Sequence, residues 1–278
     1  MHAHGSPPAY AQAVLRIIDA RTGEPVEAAP ARRGLTRVEA HASGLGPTTL
    51  RVLLVSDLLV RALELGGTPV WSLLTGEHEQ AELRAAARAL GIRPFEDGAD
   101  LGPGLGEAQV LHVAAEVAET SGGVLVAVAP ADSPATASTT PTETVATPAS
   151  TTSTETVTTT AAPDLSDPGA LRLALLSHPR DQPLRLDAAA LDEARETLAH
   201  WRGSVAGWAR RPSRPVPDEV RVELRTAWED DLNVPEVLRV LRRVETWPDL
   251  PDGARFETYA YADRLLGLEL TRDIGSLA

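Results

Sequence analysis

Residues 36–75 read TRVEAHASGLGPTTLRVLLVSDLLVRALELGGTPVWSLLT. Residues 36–40 predict a short strand, and the glycine-rich residues 43–47 predict a turn. Residues 48–65 have the length and apolar content of a helix, which the following pair of glycines ends. Residues 69–74 then form an apolar run typical of a buried parallel strand. Strand, glycine turn, helix and strand in this order predict the βαβ unit of a nucleotide-binding α/β fold.

The flanking sequence extends this pattern to a first arm of the chain, residues 13–130. Residues 13–20 (AVLRIIDA) predict a strand before the unit, and residues 124–128 (VLVAV) predict a strand after it. Residues 77–90 and 107–120 predict helices, each ended by a glycine turn. The first arm is therefore expected to be a partial Rossmann-like domain of the α/β class.

A segment of low complexity follows, residues 131–163. It is rich in Thr, Ser, Ala and Pro and contains neither arginine nor an aromatic residue. A segment of this composition buries too little apolar surface to offset the entropy of ordering it. It is predicted to be a disordered linker between the two arms.

The second arm, residues 164–278, has the caps and the periodicity of an all-α helical bundle. Asp167 is a predicted N-cap, and proline follows it at the first helical position. In the helix that begins after residue 187, apolar residues recur at alternating spacings of three and four, which predicts a packed helix face. They are Leu191, Ala194, Leu198, Trp201, Val205 and Trp208. Five helices are predicted in this arm. Three of them cover residues 169–177, 218–231 and 255–267, and the other two begin after residue 187 and at residue 233.

The composition excludes several classes of chemistry. All 26 basic residues are arginine, cysteine is absent, and the formal net charge is −13. Disulfides, thiolate metal sites, cysteine nucleophiles and lysine-dependent reactions are therefore excluded. The negative charge disfavours general nucleic-acid binding. No apolar run has the length of a membrane span, and residues 1–8 lack the pattern of a secretory signal, so a cytoplasmic protein without membrane contact is expected.

The glycine turn before the predicted helix is a candidate phosphate site. Free backbone N–H groups at a helix N-terminus attract anions. The candidate nucleotide-binding residues are Gly44, Gly46, Thr48 and Thr49, and either threonine is also a possible N-cap. The alternative is that the glycines serve only the turn.

Two histidines lie near the predicted carboxyl ends of strands, where open α/β sheets bind ligands. His41 and His78 are therefore added to the residual nucleotide-binding candidates, as acids or electrostatic donors. The alternative is that both are ordinary surface residues. A metal site needs ligands from several elements, so the adjacent Glu77, His78 and Glu79 do not predict one.

Six segments of the second arm occur in an order that resembles a known family. They are ALRLALLSH (170–178), PLRLD (183–187), LDEA (191–194), LAHWR (198–202), WEDDLNVP (228–235) and LLGLEL (265–270). This series resembles the helical region after the catalytic domain of cysteinyl-tRNA synthetases and of the related cysteine ligases of mycothiol synthesis. Residues 15–19, 52–63 and 71–75 match more loosely. The resemblance implies a class I aminoacyl-tRNA synthetase-like Rossmann domain.

The departures from that family concern its reactive groups. The histidines of its H-x-G-H signature stabilise ATP phosphates, but the matching residues here are 44–47 or 46–49, and neither set contains histidine. Its first zinc-binding cysteine corresponds approximately to Glu39, so no zinc is expected. Its K-M-S-K-S loop is absent, because the chain has no lysine. Losing a single electrostatic donor typically costs about 10²–10³ in rate.

The sequence thus supports three hypotheses. The leading one is a degenerate paralogue of this family, a pseudoenzyme that acts as a non-catalytic binding or regulatory protein. The second is an ATP-dependent ligase with altered adenylate-forming chemistry. The third is a protein–protein scaffold. The predicted ligand is ATP or a related nucleotide, and the predicted partner is an unidentified protein or a small molecule.

Overall fold

The structure, a computed structural model, describes residues 14–31, 34–42, 44–76, 80–97, 106–115, 122–133 and 165–276. The strands are β1 (Arg16–Ile18), β2 (Pro25–Glu27), β3 (Thr36–His41), β4 (Val70–Thr75), β5 (Glu96–Asp97), β6 (Gln109–Ala114), β7 (Val124–Ala127), β8 (Ala131–Asp132) and β9 (Leu184–Arg185). The helices are α1 (Pro47–Leu65), α2 (Gln80–Ala89), α3 (Pro168–Leu176), α4 (Ala188–Trp208), α5 (Asp218–Glu229), α6 (Val234–Thr246) and α7 (Asp252–Leu266).

The main sheet has five parallel strands in the order β5–β4–β3–β6–β7. Thr36 at the start of β3 lies opposite both Val70 of β4 and Gln109 of β6. Helix α1 connects β3 to β4 and packs against both strands. This arrangement confirms the predicted Rossmann-like α/β class, since a parallel sheet with a crossover helix defines it.

The predicted start of α1 needs one correction. The helix begins at Pro47, its N-cap is Gly46, and neither Thr48 nor Thr49 caps it. Proline fixes its own φ near the helical value and has no N–H to lose, so it is favoured at the first helical position. The two threonines consequently lie inside the first turn, and the helix ends at Leu65 as predicted.

The predicted helix over residues 107–120 is wrong. Residues Gln109–Ala114 form β6, which pairs with β3 on one side and β7 on the other. Leu111 and Val113 are 0% exposed. The local sequence mixes β-branched residues, which favour strands, with alanine and glutamate, which favour helices, so its propensity is ambiguous. It forms a strand because it pairs with a neighbouring strand on each edge. Residues 116–121 lie outside the described part of the chain.

The predicted strand over residues 13–20 is present only as the short β1, and it is not part of the main sheet. β1 and β2 form a separate antiparallel pair. The backbone N–H of Asp231 donates to the carbonyl of Arg16 at 2.9 Å, and the N–H of Ile18 donates to the Asp231 carboxylate at 2.9 Å. The first arm is thereby hydrogen-bonded to the turn that follows α5.

The described part of the second arm contains five helices, α3 to α7, as predicted, together with the short strand β9. Asp167, Asp187 and Asn233 each accept a hydrogen bond from the backbone N–H three residues ahead. This confirms the predicted cap at Asp167 and adds caps at the other two helix starts. On α4 the predicted apolar face is packed in the core, with Trp201 1% exposed and Val205 0% exposed. Helix α7 begins at Asp252, three residues before the predicted start.

The two arms share one buried core. Helix α1 packs against α7, and Arg172 of α3 lies in the interface between them. Its guanidinium donates to the Asp57 carboxylate at 2.9 Å and to the carbonyls of Leu90 at 3.0 Å and Leu266 at 2.7 Å. Both Arg172 and Asp57 are almost fully buried.

A second connection between the arms lies at the start of the predicted linker. Residues Ala131–Asp132 form β8, which pairs in parallel with β9. Most of the predicted linker, residues 134–163, lies outside the described residues. Among the residues that are described, no helix has both the length and the apolar composition that crossing a bilayer requires.

Candidate functional site

The strand order of the main sheet reverses at β3, which has β4 on one side and β6 on the other. In open α/β sheets, ligands bind in the crevice at the carboxyl ends of the strands at such a point. His41 is the last residue of β3, and Gly44 and Gly46 lie between it and α1. Gly44 has φ +70°, a left-handed conformation that glycine adopts without strain. The predicted site residues from His41 to Thr49 are therefore adjacent at this edge.

Three side chains with metal-binding or titratable groups converge beside this edge: Glu39, His41 and His112. Residues of β3 alternate between buried and partly exposed, so Glu39 and His41, two positions apart, share one face of the strand. His112 lies directly opposite Glu39 in the parallel register with β6. The Nε2 atom of His41 is 3.0 Å from Nδ1 of His112, and that Nδ1 is 3.5 Å from Oε2 of Glu39.

The cluster keeps both imidazoles neutral. Burial lowers the pKa of His112 to about 4, although the nearby Glu39 carboxylate opposes the shift. Burial likewise lowers the pKa of His41, again against the charge of Glu39. Near pH 7 the two rings therefore share a hydrogen bond in which one nitrogen donates and the other accepts.

The neighbours of Glu39 fix the orientation of its carboxylate. The hydroxyl of Thr75, at the end of β4, donates to Oε1 of Glu39 at 2.8 Å. Arg37 lies 3.8 Å from Oε2, but its guanidinium is closer to Glu107, at 2.9 Å. Oε2 of Glu39 thus remains directed toward His112.

One polar atom in this cluster is buried without a hydrogen-bond partner among the described residues, Nε2 of His112. The ring edge that carries it faces Gly123 at the start of β7. A Cβ on Gly123 would lie 2.6 Å from the carbonyl oxygen of Val110 and 3.3 Å from this Nε2. Glycine at this position therefore permits the close approach of β7 to His112.

The predicted phosphate residues on α1 make structural contacts. The Thr48 hydroxyl donates to the carbonyl of Ala131 at 3.1 Å and accepts from the Ala131 N–H at 3.0 Å. Thr49 is 9% exposed. The hydroxyl of Thr48 is thus occupied by β8 and is not free for a phosphate.

Arg51 and Arg180 carry positive charge that could in principle bind a phosphate, but their guanidinium groups also bond to the protein. Arg51 donates to the carbonyls of Ala129 at 2.9 Å, Gln182 at 2.7 Å and Pro179 at 2.6 Å. Burial lowers the pKa of Arg51 to about 10, with Asp181 opposing the shift, so the group is still charged near pH 7. Arg51 therefore connects α1 to the segments around β8 and β9.

Arg180 is held in a similar way. It donates to the carbonyl of Ala127 at 2.6 Å and forms an ion pair with Asp231. An acidic run at residues 229–231 is expected to be a solvated helix end, but Asp231 is bonded to Arg180 and to the N–H of Ile18. The Asp231 carboxylate thus stabilises the contact between the two arms.

His78, the remaining sequence candidate, lies outside the described residues. His112 is the site residue that sequence reasoning missed, because its segment was assigned to a helix. The signal that could have found it is the short, mostly apolar run of residues 110–114, which is typical of a buried parallel strand and contains His112 as its one polar residue.

Two cavities lie away from this edge. One of about 270 Å³ is lined by Leu15, Glu27, Leu63 and Gly67, at the far end of α1 from the glycine turn. Another of about 220 Å³ lies between α3 and α4 and is lined in part by His178. Neither cavity is lined by a predicted site residue.

The fold and the site together define a Rossmann-like α/β unit with a C-terminal helical region, consistent with a class I synthetase-like fold. No protein-family model matches the sequence. The chain is, however, similar to several proteins described as L-cysteine:1D-myo-inositol 2-amino-2-deoxy-alpha-D-glucopyranoside ligase. These relatives are mycothiol cysteine ligases, so the predicted relationship to that cysteinyl-tRNA synthetase-like family is confirmed.

The relative from Streptosporangium roseum is 36% identical over 112 residues, which are 38% of this chain and 26% of that protein. The relative from Acidothermus cellulolyticus is 36% identical over 106 residues, 38% of this chain and 25% of that protein. The relative from Parafrankia sp. is 40% identical over 82 residues, 30% of this chain and 17% of that protein. The chain thus spans about a quarter or less of the length of these curated relatives.

Proposed function

We propose that this protein is a catalytically degenerate relative of the cysteine ligases that works as a binding or regulatory protein. The similarity to ligases supports the origin of the fold, and the composition supports the loss of the reaction. The chain has no cysteine to hold zinc as a thiolate and no lysine for a mobile charged loop. The cytoplasmic location expected from the sequence stays a prediction.

The observation that carries the proposal is that polar side chains around the first turn of α1 are hydrogen-bonded to the protein's own backbone. The Thr48 hydroxyl makes two hydrogen bonds to Ala131, and Arg51 donates to three carbonyls of the segments around β8 and β9. A ligase would need groups here that are free to bind phosphate oxygens. Fully used groups favour a structural role for this turn.

The proposed ligand is a nucleotide, and the proposed partner is a protein. The backbone of Gly44 and Gly46 still offers a helix N-terminus for ATP or a related nucleotide, because Gly46 supplies no side-chain cap. An unidentified protein partner would instead dock on the helical arm. The net charge of −13 argues against general nucleic-acid binding.

The uncapped helix start also favours a second candidate, an ATP-dependent ligase with altered chemistry. His41 lies at the end of the strand that leads into this turn and would act as the donor to a phosphate. The two functions differ in one property, which is the formation of an adenylate.

ATP–pyrophosphate exchange across the amino acids tests the proposal directly. A non-catalytic protein gives no exchange above a protein-free blank with any amino acid. Exchange above the blank with even one amino acid contradicts the proposal and favours the ligase.

Calorimetric titration with ATP and with a non-hydrolysable aminoacyl-adenylate analogue tests the cleft. Gly44→Asp places a carboxylate at the helix start, and Gly23→Asp is its matched control, since both glycines have φ near +70° and open space around Cβ. A nucleotide bound at this turn should bind at least about 10-fold more weakly to Gly44→Asp and unchanged to Gly23→Asp. If neither ATP nor the analogue binds at millimolar concentration, a nucleotide site at this turn is excluded and the scaffold function is favoured.

A further inference from the structure

We propose that Glu39, His41 and His112 bind one divalent transition-metal cation such as Zn²⁺. The site would be independent of nucleotide binding, so it holds whether or not the glycine turn takes ATP. The family resemblance implies a thiolate zinc site whose first cysteine corresponds approximately to Glu39. That site cannot form here, because the chain has no cysteine, and the donors proposed instead are one carboxylate and two imidazoles.

Backbone geometry places the three donors together before any metal arrives. Glu39 and His41 project from the same face of β3, and His112 is the register partner of Glu39 on β6. Pairing of two adjacent parallel strands holds these backbone positions, so little ordering is needed on binding.

The donor spacing fits a small cation. Bonds of about 2.0–2.2 Å to nitrogen and carboxylate oxygen place ligand atoms about 3.0–3.5 Å apart around an octahedral or tetrahedral ion. His41 Nε2 and His112 Nδ1 are 3.0 Å apart, and His112 Nδ1 and Glu39 Oε2 are 3.5 Å apart. All three ligand atoms lie within 4.8 Å of one another, so a small rotation of the partly exposed Glu39 or His41 completes the set.

The charges suit a transition metal. Two imidazole nitrogens and one carboxylate oxygen are donors that divalent transition metals bind in proteins. Glu39 supplies one negative charge. The nearby positive charge of Arg37 is balanced by Glu107 at 2.9 Å.

A neighbouring hydrogen bond orients the carboxylate ligand. Thr75 donates to Oε1 of Glu39, which leaves Oε2 for the cation. Partners of this kind hold metal ligands in place, and their loss typically weakens binding about 10- to 100-fold. A His–His–Glu set suits Zn²⁺ and other first-row divalent ions and leaves coordination positions open for water or a ligand.

Equilibrium titration of the full chain with Zn²⁺, in competition with a chelating dye, tests the site. The wild-type protein should bind one Zn²⁺ per chain with saturable affinity. His41→Asn and His112→Asn should each bind at least about 100-fold more weakly, and Thr75→Val about 10-fold more weakly. Co²⁺ titrated into the wild type should show d–d absorption bands that the histidine variants lack.

The matched controls are histidines elsewhere in the chain. His200→Asn removes an exposed imidazole on α4 that also lies beside a carboxylate, Glu245, and should leave Zn²⁺ affinity unchanged. A double His2→Asn, His4→Asn variant removes the N-terminal imidazoles and should also have no effect.

Equal Zn²⁺ affinity in wild type, His41→Asn and His112→Asn would overturn the site, as would the absence of saturable binding below about 100 μM. If circular dichroism shows that His112→Asn is unfolded, the Zn²⁺ affinity of His41→Asn alone tests the site, because His41 is partly exposed. Zinc lost only in the His2/His4 variant would assign binding to the N-terminus and reject the cluster.

Discussion

Two polar clusters are built into this protein, and they differ in how completely their hydrogen bonds are made. In the first, Arg172 uses Nε, Nη1 and Nη2 on Leu266, Leu90 and Asp57. In the second, His41 and His112 face each other, and Nε2 of His112 is buried without a partner among the described residues. The first cluster connects three helices and a loop, whereas the second lies at an edge where ligands bind.

The difference separates a polar cluster that holds packed elements together from the one that we propose binds a metal. A buried charge whose partners are all present holds a packing arrangement, because every alternative leaves it unsatisfied. Burial raises the pKa of Asp57, but the charges of Arg172 and Arg61 outweigh it and the net pKa is lowered. In the histidine cluster burial is the largest influence, and it lowers the pKa of both His41 and His112.

The largest expected effect is in the first cluster. Arg172→Met should lower the free energy of unfolding by about 3–5 kcal/mol, because it removes a buried ion-pair partner and leaves two carbonyls without a donor. Urea denaturation followed by circular dichroism measures the change. Arg195→Met, which removes an exposed ion pair, is the control and should leave stability essentially unchanged, because water screens such pairs. Similar values for both variants would show that the Arg172 contacts do not hold the arms together.

An intermediate effect is expected on acidification of the metal-free protein. The unfolded chain protonates His112 near pH 6.5, whereas the folded protein does so only near pH 4. Between these values the unfolded state holds the extra proton, so stability falls as the pH falls, by up to about 3 kcal/mol. Urea unfolding in the presence of a chelator, from about pH 7.5 to about pH 4.5, should show this slope. His112→Leu should have a shallower slope, and identical slopes would contradict a buried neutral His112.

The smallest expected effect is that of the same His112→Leu substitution near pH 7.5. Leucine removes an unpartnered Nε2 and one hydrogen bond to His41, so the free energy of unfolding should change by less than about 1 kcal/mol. The comparison with Arg172→Met is made in the same urea experiment. A loss as large as that of Arg172→Met would mean that the histidine cluster is structural after all.

Much of the fold could be predicted because it is encoded locally. The segment from β3 to β4 carries its own strand, turn and helix signals, and Asp167 followed by proline marks the start of α3 by side-chain capping. The start of α1 was misplaced by one residue, since proline at the first helical position competes with a threonine cap. The predicted nucleotide residues Gly44, Gly46, Thr48 and Thr49 are adjacent in space because they are adjacent in the chain.

The sequence by itself determined the α/β class, the helical second arm, and the absence of thiolate and lysine chemistry, because residue identity and short-range periodicity are enough for each. Only the tertiary structure decided that residues Gln109–Ala114 form a strand, and that His112 lies opposite Glu39. The physical reason is that strand pairing is a long-range interaction. The hydrogen bonds of β6 to β3 and β7 outweigh the ambiguous local propensity of its sequence. The register of this pairing depends on both strands, so the sequence of one strand does not determine it.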